Sequence, residues 1–88
     1  MLALLLLACA SPNSCADYSA AAIDCAKDAG ADATPYAEET VCGEWSGTLE
    51  DMYGAWYQCQ AEAYRDGDCS TAEGYVAAAN AASECAAP

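Results

Sequence analysis

The stretch Leu2-Ala3-Leu4-Leu5-Leu6-Leu7-Ala8-Cys9, an apolar run closed by a cysteine, decides how the rest of the chain folds. The sequence contains seven cysteines. If Cys9 is consumed or removed, the set that remains is Cys15, Cys25, Cys42, Cys59, Cys69 and Cys85. In an exported chain of about 80 residues, an even set of cysteines reads as a disulfide framework, here of three bridges. The apolar run is too short to anchor the chain by itself. As helix it reaches about 12 Å, at about 1.5 Å per residue, against about 30 Å of hydrocarbon, so it reads as a processed leader. Leaders normally open on basic residues, and no Lys or Arg stands between Met1 and Cys9. The translation start is therefore expected further upstream.

The run Leu6-Leu7-Ala8-Cys9 resembles the lipobox of bacterial lipoproteins, in which a signal peptidase needs small residues before a cysteine that is lipidated and becomes the first residue. The resemblance implies a signal peptide over residues 1–8, a lipidated tether over 9–13 and a Cys-rich helical domain over 14–88. It also implies a membrane anchor of acyl chains, such as palmitate, on Cys9. By the sorting pattern of that family, Ala10 after the cysteine implies the outer membrane. Ala8-Cys9-Ala10 also has the small-x-small form that an ordinary signal peptidase cuts, which gives a freely secreted product beginning at Ser11. Either route disposes of Cys9. The remaining reading is a plain apolar N-terminus.

Composition explains the need for crosslinks. After the leader, Ile23, Val41, Leu49, Met52 and Val76 are the only long or branched aliphatic residues, and alanine supplies most of the other apolar positions. Alanine favours helix but buries little area, so hydrophobic burial at about 25 cal/mol per Å² struggles against the ordering entropy of a short chain. No two cysteines have the close spacing of a zinc or C-x-x-C redox pair, and there is no histidine, so no metal or cofactor is expected.

Local signals give an all-α bundle of three to four helices. Ser14-x-x-Asp17 reads as an N-terminal cap and Gly30 as the C′ residue that ends a helix carrying Cys15, Tyr18, Ala22, Cys25 and Ala29 on one face. Thr34-Pro35 opens a shorter helix over Tyr36 to Cys42. Gly43 and Gly47 argue for a break, with one long helix over 36–65 as the alternative. Thr48-x-x-Asp51 caps a third helix that runs to about Arg65 and turns Leu49, Met52, Trp56, Cys59 and Ala63 to one face. Tyr53, Tyr57 and Tyr64 lie about 100° round from that face, either packed at the boundary or forming a ridge for a partner. Ser70-x-x-Glu73 caps a last helix through Tyr75, Ala78, Ala82 and Cys85.

Helix geometry narrows the disulfide pairings. Cys15 and Cys25, or Cys69 and Cys85, on one helix stand about 15 or 24 Å apart, beyond the roughly 7 Å limit. Five of the fifteen possible connectivities fall away, and ten remain. Cys15-x9-Cys25 and Cys59-x9-Cys69 also resemble the elements of twin C-x9-C proteins, which are helical hairpins. Asp66-Gly67-Asp68 breaks the second of these segments, and Cys42 and Cys85 fall outside the pattern.

Charge excludes several partners. Fourteen carboxylates face only Lys27 and Arg65, for a net charge of −12, which repels phosphate backbones and anionic headgroups and speaks against nucleic acid. Asp66, Asp68 and Ser70 imitate the first ligands of an EF-hand loop, but Thr71 stands where its glycine belongs and Ala77 where its bidentate Glu belongs. Helix capping explains the stretch better. No nucleophile motif is present, and Asp24 with Asp28 reads as a solvated helix face, so no catalysis is expected. The leading expectation is a small, exported, lipid-anchored structural or protein-binding module of the bacterial envelope, whose partner is an envelope or extracellular protein. The alternatives are a secreted cysteine-rich effector-like protein and a weak acidic binder of divalent cations.

Overall fold

A computed structural model of the chain describes residues 13–88. The leader, the lipobox, Cys9 and the tether as far as Pro12 lie outside the described residues. Every regular element among the described residues is helical. These are α1 (Ser14–Asp28), a 3-10 turn (Thr34–Tyr36), α2 (Glu38–Val41), α3 (Gly47–Asp66) and α4 (Ala72–Ser83). Helix α3 is the central member and packs on both α1 and α4. The expected bundle is therefore present.

The caps show how the chain chooses between adjacent candidates. Asn13, rather than Ser14, caps α1, its side chain accepting from the Ala16 N–H at 2.9 Å. Ser14 becomes the first helical residue and is buried. Gly30 ends α1 as expected, in a Schellman arrangement in which Ala31 N–H donates to the Ala26 carbonyl at 2.8 Å and Gly30 N–H to Lys27 at 3.0 Å. Ser46 caps α3 in place of Thr48, and Thr71 caps α4 in place of Ser70. The Ser70 hydroxyl is already committed, donating to Asp68 Oδ1 at 2.6 Å.

The helix expected over Tyr36 to Cys42 splits in two, because Ala37 is extended at φ −54° and ψ 134°. The Ser19 hydroxyl donates to the Tyr36 carbonyl at 2.6 Å and so takes that carbonyl out of a continuous helical ladder. Thr40 N–H bonds the Ala37 carbonyl instead. One long helix over 36–65 is also ruled out. Gly43 sits at φ +55°, a left-handed conformation that glycine adopts without steric cost and that ends α2.

The core is built from alanine, cysteine and tyrosine. Ala21, Ala22, Cys25, Ala61, Tyr64, Cys69, Ala78 and Ala82 form one buried cluster, with Tyr18, Tyr36 and Tyr75 packed against it. None of the five large aliphatic residues belongs to it. Met52 and Val76 are 54% and 53% exposed, and Ile23, Val41 and Leu49 are only partly buried. The stripe Leu49, Met52, Trp56, Cys59 and Ala63 is accordingly not the inward face of α3. The buried positions are Gly54, Ala61 and Tyr64: a Cβ at Gly54 would run into the Glu50 side chain, while Ala61 and Tyr64 belong to the core cluster.

All six cysteines from Cys15 onward are paired, as Cys15–Cys42, Cys25–Cys69 and Cys59–Cys85, with Cα separations of 5.8, 5.0 and 6.0 Å. The pattern is among the ten left open by helix geometry. Each bridge joins separate segments: α1 to the end of α2, α1 to the loop before α4, and α3 to the residues just past α4.

Candidate functional site

The described chain begins beside the N-terminal half of α3, and the side chains there form a polar clasp. Ser14 donates twice to Glu50, from its N–H to Oε1 at 2.7 Å and from its hydroxyl to Oε2. Trp45 Nε1–H donates to the same carboxylate at 3.0 Å. Gln58 Nε2–H donates to Ser14 Oγ at 3.0 Å and to Asp17 Oδ2 at 2.9 Å. The hydroxyl of Ser14, then its N–H, hold the Glu50 carboxyl below its ordinary value, so it is ionised at neutral pH. Glu50 and Ser14 are 36 residues apart in sequence. Their pairing left no local signal, and reading Ser14 as a cap concealed it.

An aromatic chain continues from the clasp. Trp45 meets Tyr57 edge-on at 5.6 Å, Tyr57 meets Trp56 at 4.8 Å, and Trp56 meets Tyr53 at 6.4 Å between ring centroids. Both tryptophans of the protein therefore belong to this stacked series, which starts at the clasp. Met52 lies one helical turn from Trp56 and is open to solvent.

The three tyrosines placed on one side of α3, at the boundary or on a ridge, occupy different depths. Tyr64 is 5% exposed and belongs to the core, which removes it from any partner-facing surface. Tyr57 is partly buried and stacks on Tyr18 at 5.3 Å as well as on the two tryptophans. Tyr53 is partly exposed beside Trp56. The inward cluster instead recruits Tyr36 and Tyr75, whose hydroxyls meet at 2.5 Å across the bundle. The hydrogen bond with Tyr36, and then partial burial, push Tyr75 up to about 12. Burial raises Tyr18, Tyr36 and Tyr64 as well. These four phenols stay protonated at neutral pH.

The acidic positions are dispersed. Asp24 and Asp28 line a groove of about 400 Å³ around the Cys25–Cys69 bridge, together with Arg65 and Asp68. Asp68 accepts from both the hydroxyl and the N–H of Ser70, which lower its pKa. Asp66 and Gly67 line a second groove on the α4 side. Among the described residues no group of three or more His, Cys, Asp or Glu side chains is arranged to hold a metal ion. Lys27 and Arg65 lie in the last turns of α1 and α3, where a cation complements the helix dipole. No described helix is long and apolar enough to cross a membrane.

Comparison with protein-family models, with curated proteins and with solved structures returned no significant match.

Proposed function

We propose that this chain is an exported module of the bacterial envelope, attached to the outer membrane through acyl chains on Cys9. It serves there as a structural or protein-binding element. The observation that carries this reading is the closed set of crosslinks. Cys15, Cys25, Cys42, Cys59, Cys69 and Cys85 satisfy one another in three bridges, which is the set remaining once Cys9 is spent on lipid. Disulfides of this density belong to oxidising compartments, and a thin alanine core needs them. Two or more acyl chains, at about 0.8 kcal/mol per buried CH₂, supply stable attachment that the acidic surface does not.

The intact mass of the protein recovered from its native host tests this reading. A chain beginning at Cys9 and carrying a diacylglycerol is the expected product. A chain beginning at Ser11 without lipid overturns the anchor and makes the protein a secreted one. An envelope partner, if engaged, meets a surface of net charge −12, so its contact face is basic and the association weakens with salt.

A further inference from the structure

Three features of the tether end converge on a second contact. Asn13, the first described residue, is four steps from Cys9, so at about 3.5 Å per step the anchor lies within about 14 Å of it. The adjoining residue Ser14 is bonded to Glu50, which also holds Trp45. The stacked series Trp45, Tyr57, Trp56 and Tyr53 starts from that point.

The same surface is left open by the described residues. Helix α4 has 12 residues and α3 has 20, about 18 Å against 30 Å. A Cβ added at Gly67 would meet Ala78, midway along α4, and from there the helix runs back beside α3 until Cys85 bridges to Cys59. It ends there, so among the described residues α4 does not cover the outward side of α3 before Cys59. Met52 is 54% exposed on this side, with Leu49, Tyr53 and Trp56 partly exposed around it.

We infer that this surface of Trp45, Leu49, Met52, Tyr53 and Trp56 rests on the zwitterionic phospholipid interface of the leaflet that holds the Cys9 anchor. The inference depends on the lipid-anchored reading for its setting. A tether this short keeps the tryptophan end of the molecule at headgroup level. Trp and Tyr are the side chains that favour that depth, since their rings are apolar and their N–H or O–H keeps a polar partner, which for Trp45 is Glu50. Headgroup charge follows from the flanking residues. Glu44 and Asp51 are exposed beside Trp45 and Met52, and the chain carries −12 overall, so anionic lipid is disfavoured. The anchor supplies attachment, and the patch fixes which way the module faces.

Because both tryptophans lie in the patch, their emission reads this surface alone. The measurement is made on the natively lipidated protein and on the chain from Cys9 coupled through that thiol to a maleimide phospholipid. Each is placed on phosphatidylcholine vesicles with brominated acyl chains. Expected are a blue shift and quenching of at least about twofold, weaker when phosphatidylglycerol is added and largely lost in Met52→Glu, which keeps its three disulfides and helical circular dichroism. Coupled protein that floats with the vesicles while its emission stays as in buffer overturns the surface. So does shielding of the tryptophans by a concentration-dependent dimer without vesicles, which assigns the patch to a second copy. A native protein without lipid mass overturns the anchoring reading instead, and the coupled protein still decides the surface.

Discussion

Helix α3 is held to α1 and to α4 by different means. Towards α1 it meets the Ser14–Glu50–Trp45 clasp, the Gln58 contacts and the packed tyrosines, while the bridges of α1 itself, Cys15–Cys42 to the end of α2 and Cys25–Cys69 to the loop before α4, are buried at every sulfur-bearing residue. Towards α4 it meets Ala78 and Ala82, Tyr75 and the single bridge Cys59–Cys85, whose Cys59 is exposed. The α1 side is determined several times over, while α4 is a short alanine helix pinned at its two ends, by Cys25–Cys69 just before it and by Cys59–Cys85 just past it. Where side chains bury little area, sulfur takes over the role of a hydrophobic core.

The largest expected effect comes from removing all three bridges. At about 2–4 kcal/mol each they match the whole net stability of an ordinary domain, about 5–15 kcal/mol, so full reduction should unfold the protein. Helical circular dichroism unchanged after reduction contradicts this.

Separate bridges then sharpen the contrast. Cys25–Cys69 spans 44 residues and Cys59–Cys85 spans 26. By loop entropy alone the two differ by only about 0.5 kcal/mol, so burial and access decide the difference. Limiting reductant should open Cys59–Cys85 first, seen as alkylation confined to those two residues, and should leave the α1–α3 contacts standing. Replacing Cys25 and Cys69 by Ser should cost about 3–5 kcal/mol, since it also places hydroxyls in the core. Equal alkylation of the two bridges at every stage of reduction removes the distinction between the halves.

Much of the architecture was legible in sequence, and what was hidden shares one cause. Helix spans followed from alanine-rich periodicity and from Gly30, Pro35, Gly43 and Gly67, and the crosslink count followed from the odd Cys9. The caps drifted by a residue or two because Asn13-Ser14, Ser46-Gly47-Thr48 and Ser70-Thr71 each offer neighbouring candidates, and the choice falls to a distant partner such as Glu50 or to Asp68. Hydrophobicity points to Leu49, Met52 and Trp56 as the inward face of α3, whereas the buried positions are Ala61 and Tyr64 in the core and Gly54, which leaves room for the Glu50 side chain. Disulfide pairing and the Tyr36–Tyr75 contact depend on long-range geometry that no local pattern encodes. Of the candidate site, the cysteines were visible and the clasp was not.

Two single substitutions probe the halves at similar size. Gly74 lies in the first turn of α4, where glycine costs about 1 kcal/mol relative to alanine in a helix. A Cβ added there meets the Asp68 carbonyl oxygen at 1.6 Å, so Gly74→Ala forces the loop and the helix start apart. The expected destabilisation is about 1–3 kcal/mol, or about 4–8 °C in Tm per kcal/mol. On the other side, Glu50→Ala strands the buried N–H and hydroxyl of Ser14 and should cost about 1–3 kcal/mol. The Glu50 contribution also has a pH sign. Its folded pKa lies below the unfolded value of 4.5, so the contribution is present above 4.5 and lost as pH falls through the folded value. Thermal melts of both variants at neutral and acid pH separate them, because only the Glu50 variant should lose this acid dependence.

The smallest effect tests whether the halves communicate. Tyr36 belongs to the 3-10 turn beside α1 and Tyr75 to α4, so their hydroxyl pair is a polar link across the division. Tyr75→Phe removes one ordinary hydrogen bond and should cost about 0.5–1.5 kcal/mol. The alkaline limb of stability gives the sharper readout. With Tyr75 pushed up to about 12 in the folded state and at 10.0 when unfolded, the native chain keeps a proton that the unfolded chain releases. Its contribution is therefore complete below pH 10 and declines from there towards pH 12. Tyr18, Tyr36 and Tyr64 shift in the same direction through burial, so they steepen the decline. In Tyr75→Phe that decline should become shallower and the latest tyrosinate absorbance step should disappear. An unchanged alkaline profile means that the hydroxyl pair does not tie α4 to the rest, and that the bridges at its two ends and the alanine contacts hold it alone.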